Sequence, residues 1–280
     1  MENAQDSAGV CHYSIAGFID LLGTKDRIAY IEAGETPEEQ CQRLGEALQN
    51  VRKFRGDFET TRRACLEVET ENDLCCPEAQ RPLRDSLKGN PIEIHSFSDT
   101  VIIHASLATG NRKVPLESVW TILVATAAAQ LYSLAREVPA RGGIEIGLAA
   151  DVTSGEIFGP ATYRALLLEE KQADWPRVVL GEKLYAYIDF DAPVVPGIPE
   201  NVLNWKYANL CKTLVRKDSK GVVMLDLHSQ WLEQLMGEVY WKCLERAKKF
   251  AAERETRYRT QGDTRLTGMY AVLSEYLCHK

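Results

Sequence analysis

The stretch PIEIHSFSDTVIIHAS, Pro91 to Ser106, holds two apolar runs on either side of Ser98-Asp99. This spacing suits a β-hairpin with Asp99 near its tip. A hairpin in mid-chain restricts the fold through what flanks it. Upstream, HYSIAGFID reads as a strand of bulky and β-branched residues, closed by Gly-Thr punctuation. Between that strand and the hairpin, Thr36-Pro37-Glu38-Glu39 combines an N-cap, a proline in the first turn and a glutamate three residues after the cap, so a helix starts there. Cys41, Leu44, Leu48, Val51 and Phe58 recur at helical spacing and give it one apolar face. Downstream, the Ala- and Leu-rich stretch from Leu116 to Glu137 predicts a second helix, ending before Pro139. RGGIEIGLAADVTSG then returns to strand character. The order β-α-β-β-α-β is that of an α+β chain with a ferredoxin-like antiparallel sheet and helices on one face.

Further along, FGPATYRALLLEEKQADW is expected to be helical, PRVVLG a short strand, and KTLVRKDSKGVVMLDL a second hairpin turning at Ser219-Lys220-Gly221. From Gln230 to Arg257 the stripe Leu232, Leu235, Met236, Val239, Tyr240, Cys243, Ala247 and Phe250 predicts one long helix, and a shorter one follows Gly262. The acidic, proline-bearing residues 69–90 read as a surface loop or an excursion with a short helix.

The net charge of -7 argues against an extended nucleic-acid footprint and leaves room only for a local basic pocket for phosphates. A polyanion bound by such a chain brings its own metal ions. The richest apolar run, Val119 to Ala129, is broken by Thr121 and Thr126, short of the roughly 18 residues of a membrane span. MENAQDSAG lacks the basic and apolar segments of a signal peptide, so the expectation is a cytoplasmic protein without a membrane partner. Eight cysteines are scattered without a C-x-x-C pair, and the adjacent Cys75-Cys76 has no nearby His, as expected of reduced structural thiols.

Asp20 sits at the end of the first strand, where a carboxylate either caps a turn or serves a site. In a β-α-β-β-α-β sheet the first strand is expected beside the one that opens the central hairpin, which brings Asp20 close to Asp99 at one sheet edge. Two carboxylates so placed repel unless something positive lies between them, and a pair of Mg2+ or Mn2+ ions would meet that need. Gly23 and Thr24 follow at once and open a turn whose N–H groups can cradle a triphosphate, with Lys25 adding charge.

F-I-D-L-L-G with F-S-D-T, then R-G-G-I-x-x-G and F-G-P-A, resembles the class III nucleotidyl cyclases. F-S-D-T, ARGGIEIG, FGPA and LEEKQADWPRVVLG are most similar to the bacterial pyrimidine cyclases of the Pycsar anti-phage systems, over about Tyr13 to Leu227. The resemblance implies a cyclase catalytic domain at 10–228 and a C-terminal helical extension at 229–280, packed on it or on a dimer partner. It implies that Asp20, Asp99 and the Leu21 carbonyl hold two divalent ions. It implies conversion of UTP to cyclic UMP and diphosphate, with CTP to cyclic CMP as the alternative, and a separate effector reached through the cyclic nucleotide product. His95 falls where adenylate cyclases place a base-reading lysine, and Glu156 near their second base-reading position. Arg216 and Lys217 resemble the position of the lysine that grips the triphosphate, the other reading being a solvated hairpin tip.

The chain departs from the family at two places. Tyr163 stands where an asparagine orients the ribose, and Leu167 where an arginine stabilises the transition state. Leucine can do neither electrostatic task, so Arg164 or another arginine supplies the charge, or the chain is an inactive nucleotide-sensing or scaffold module. Arg141 opens a strand as a structural or a functional residue. Because the family builds each site between two catalytic domains, one domain per chain implies a two-fold symmetric homodimer. A diguanylate-cyclase or polymerase-palm relative shares the two carboxylates, but no G-G-D/E-E-F stretch occurs.

Overall fold

A computed structural model describes residues 11–71, 91–107, 114–153, 156–189 and 199–279; within these, the side chains of 24–27, 66–71, 151–153, 156 and 199 are outside the description. Among the described residues eight strands form one mixed sheet: β1 (Cys11–Leu21), β2 (Ile92–Phe97), β3 (Thr100–Ser106), β4 (Ala140–Thr153), β5 (Glu156–Phe158), β6 (Val178–Leu180), β7 (Val215–Lys217) and β8 (Val223–Leu225). The order is β2-β3-β1-β4-β6-β8-β7, with β5 paired to β4. The described helices are α1 (Thr24–Glu32), α2 (Pro37–Glu71), α3 (Pro115–Ala135), α4 (Pro160–Gln172), α5 (Glu182–Ile188), α6 (Pro199–Lys212), α7 (Gln230–Met236), α8 (Glu238–Gln261) and α9 (Thr264–Cys278).

Two expectations about the sheet need correction. The first strand lies beside β3, which closes the hairpin, and not beside β2, which opens it. The sheet is also not purely antiparallel, because β4 and β6 run parallel. The helix α4 accounts for this: it carries the chain back along the sheet, and such a crossover joins parallel strands. Close packing of α4 on β4 needs Gly143, where a Cβ would stand 2.2 Å from the Ala165 carbonyl oxygen.

The start of α2 follows the expected chemistry: the Glu39 amide donates to Thr36 Oγ1 (3.2 Å), while the Glu39 carboxylate accepts from the Glu35 amide (3.0 Å). Its 35 residues run through Gly56 without a break. Of the stretch expected as an acidic loop, residues 69–71 complete α2; 72–90, with Cys75 and Cys76, lie outside the described residues. The long C-terminal helix is interrupted at Gly237, whose φ of 55° ends α7 and starts α8.

One face of the sheet carries Ile15, Ile19, Val101, Ile103 and Ile144, all fully buried, against α2 and α3. By length and composition α3 is apolar enough to cross a membrane, but it is buried inside this core. Its polar Gln130 is satisfied by the carbonyls of Ala140 (3.4 Å) and Pro176 (3.2 Å), which ties the helix to the mouths of β4 and β6. The core continues into the C-terminal helices through Leu232, Tyr240, Leu244, Phe250 and Tyr270.

Buried Arg177 holds the far side together. It donates to Asp218 Oδ2 (2.6 Å), Asp174 Oδ1 (2.6 Å) and the Gln172 carbonyl (2.7 Å), joining the end of α4 to the β7–β8 hairpin. Burial pushes the Asp218 carboxyl up, but the Arg177 hydrogen bond and the amides of Val222 and Lys220 outweigh it, leaving the group below its ordinary 3.8. A folded value below the unfolded one gives stability that is present above pH 3.8 and lost as pH falls through the folded value. Asp218→Asn is therefore expected to cost about 2 kcal/mol at neutral pH. In urea unfolding across a pH series, the difference from wild type should shrink below pH 3.8.

Candidate functional site

Opposed residues of antiparallel strands project to the same face, so the pairing register writes out the open side of the sheet in rows. The row at the strand ends is Phe97, Thr100, Asp20 and Arg141; the next is His95, Ile102, Phe18 and Gly143; the third is Glu93, His104, Ala16 and Glu145. The helix α4 covers this face over β1 and β4. Towards β2 the face is more open: Phe97 is 80% exposed and Glu93 is also exposed.

Asp20 and Asp99 are brought together at the first row. Ser98 and Asp99 form the two-residue link between β2 and β3, and Ser98 takes a φ of 56°. A left-handed serine is disfavoured, so the turn is held by its surroundings. The Asp99 carbonyl accepts from the Leu21 amide (3.2 Å), which sets Asp99 beside the end of β1. Two carboxylates and a main-chain carbonyl make an all-oxygen donor set, the kind that Mg2+ and Mn2+ prefer. Gly23, with φ 94°, turns the chain directly into α1, so the free amides of the first turn start three residues after Asp20. Thr24 and Lys25 begin that helix; their side chains are outside the described residues.

Sequence reasoning left Arg141 without a role, and the structure assigns it one. Its Nε lies 3.9 Å from Asp20 Oδ2 and forms an ion pair with Glu169, a buried carboxylate on α4. Burial pushes the Glu169 carboxyl above its usual range; Arg141 works against this, and the Asp20 charge reinforces it. The spacing of Glu169 on its helix carries no signal of this, because the partner arrives from another strand.

The other candidate residues lie apart from Asp20 within one protomer. Arg164 lies against Gly147, where a Cβ would stand 3.1 Å from its Nη1. Gly147 is six positions along β4 from Arg141, roughly 20 Å away. Tyr163 is 61% exposed on α4, and Leu167 is half-buried. Glu156, at the start of β5, pairs with Thr153 of β4, and its side chain is outside the described residues. Arg216 stacks on Tyr276 (5.3 Å) near Asp226 (3.9 Å), and Lys217 lies over Tyr185 (4.7 Å). Both are on β7, four strands from β1 or roughly 19 Å.

A second group escaped sequence reading. Glu93, His95 and His104 offer ligand atoms within 4.8 Å of one another and can hold a metal ion. The signal was legible as Glu-x-His on one strand, with His104 facing Glu93 across the hairpin.

Replacing Arg141 with Met leaves Glu169 buried opposite Asp20 without its cation. A loss of about 3 kcal/mol in urea unfolding is expected, and adding Glu169→Gln should restore part of it. No protein-family model matches the chain, and no curated protein matches it, so the chemistry of this sheet edge is argued from its own residues.

Proposed function

We propose that this chain is a cytoplasmic metal-dependent nucleotide cyclase, converting UTP to cyclic UMP and diphosphate, with CTP to cyclic CMP as the alternative. The observation that carries the reading is Asp20, at the end of β1, beside Asp99 in the β2–β3 turn, linked through the Leu21 amide. The strand order β2-β3-β1-β4 supports it, being that of a ferredoxin-like βαββαβ unit. So does the turn at Gly23, which presents helix-start amides close to Asp20.

Asp20, Asp99 and the Leu21 carbonyl would hold two Mg2+ or Mn2+ ions, which when bound neutralise charge at the phosphates and make the 3′-hydroxyl easier to deprotonate. The 3′-hydroxyl gives up its proton to solvent, its oxygen forms a bond to the α-phosphorus, the bond from that phosphorus to the bridging oxygen breaks, and diphosphate leaves with the electron pair. The amides after Gly23 bind phosphate oxygens. Arg141 holds the Asp20 carboxylate from one side, with Glu169 locking the guanidinium in place.

Arg164 is the candidate transition-state cation. Its separation from Asp20 within a protomer fits a site shared between two copies, each giving α4 residues to the other's carboxylates. Exposed apolar side chains are available to such a homodimer on either side of the sheet: Phe158 is 75% exposed and Leu148 51% on strands, and Tyr163 61% on α4. In this reading the cyclic pyrimidine nucleotide signals to a separate effector in anti-phage defence.

The ion pair of Asp20 with Arg141 favours a second reading, a non-catalytic nucleotide-sensing module in which Asp20 is structural. A panel of four nucleoside triphosphates with Mn2+, followed by chromatography, separates the two. Wild type should convert UTP, and Asp20→Ala should abolish product while keeping the wild-type circular dichroism; no conversion of any triphosphate refutes the cyclase. Phe158→Glu should shift the chain from dimer to monomer in analytical ultracentrifugation and lower turnover in parallel.

A further inference from the structure

We infer that Glu93, His95 and His104 form a transition-metal site, with Zn2+ as the ion it fits, distinct from the Asp20–Asp99 corner. The β2–β3 register makes it: Glu93 faces His104 across the ladder, and His95 is two residues beyond Glu93 on the same face. The two imidazoles stack at 5.3 Å with their planes 27° apart, which keeps the two rings together on this face.

The donor atoms already stand close to a first coordination shell. His95 Nε2 is 3.4 Å and His104 Nε2 3.8 Å from the same oxygen, Glu93 Oε2. Around a tetrahedral ion with metal–ligand bonds of about 2.0–2.1 Å, neighbouring donors are about 3.3–3.4 Å apart. A simple hydrogen-bonded cluster explains the arrangement less well, because His95 Nε2 is buried yet makes no hydrogen bond among the described residues. His104 is 4% exposed, so one ligand is anchored in the fold, whereas His95 and Glu93 reach it from the open side.

The donor set selects the metal. Two imidazoles and one carboxylate suit Zn2+ and its first-row neighbours, while Mg2+ prefers oxygen throughout. Three protein ligands leave a fourth position, which would take water or an anionic donor. Between Asp20 and His95 lie two strand steps and one row, roughly 12 Å, so the two sites fill independently. The inference does not rest on the cyclase reading.

Cobalt tests it. The full chain, treated with chelator and dialysed, is titrated with Co2+ under visible spectroscopy, then challenged with Zn2+. One equivalent should give the intense visible bands of a four- or five-coordinate ion and be displaced by Zn2+. His95→Ala and Glu93→Gln, both at partly exposed positions, should each weaken binding by more than roughly a hundredfold, beyond what losing an outer-shell partner costs. Asp20→Asn should leave the bands unchanged. The inference is overturned if the absorption is weak and featureless, if the bands survive His95→Ala in folded protein, or if they vanish only with Asp20→Asn.

Discussion

The pairing register of β1 is the constraint on which the rest of this molecule depends. It is hydrogen-bonded on both edges, to β3 and β4, and its alternate residues serve opposite purposes. Ile15, Ile19 and Leu21 go to the core, while Ala16, Phe18 and Asp20 face α4 and the open side. A slip of one residue would drive Asp20 into the apolar layer under α3 and expose the isoleucines, so the hydrophobic effect holds the register that the candidate site needs.

Charge is then placed where this framework can satisfy it. Arg141 meets Glu169 and Asp20 at one end of β4, and Glu145, further along the same strand, turns to the start of α5, where its carboxylate accepts from the Leu184 amide (2.8 Å). Arg177 binds two aspartates and a carbonyl. Each of these three, Glu169, Glu145 and Arg177, has opposite charge or amide donors within reach, the condition on which a buried ion is tolerated. The open face towards β2 keeps its own polar group of Glu93, His95 and His104.

Local signals were legible wherever neighbours in the chain supply the physics. Thr36 with Glu39 marked the start of α2, because the hydrogen bonds that cap a helix come from residues three apart. Ser98-Asp99 marked the hairpin, since a two-residue link leaves the strands no choice but to pair. Gly237 went unread: the apolar stripe continues through it from Leu235 to Val239, and only its backbone angle reveals the break. The helix α1 was hidden behind Gly23-Thr24, which read as a turn, and α5 and α6 had no expectation set against them. At the site, Asp20, Asp99 and Gly23 were legible as a group, whereas Glu169 was not, because its partner Arg141 comes from another element.

The sequence by itself determined the alternation of strands and helices around the central hairpin, the apolar run that makes β1 a strand, and the carboxylates that end one strand and tip another. These follow from local hydrogen bonding and from which side chains leave water. Only the tertiary structure decided that β3 rather than β2 is the neighbour of β1, that β6 runs parallel to β4, and that Arg141 joins Asp20 to Glu169. The physical reason is that strand order and ion pairing join residues far apart in the chain, and their partners are chosen by the packing of α3 and α4 on opposite faces of the sheet.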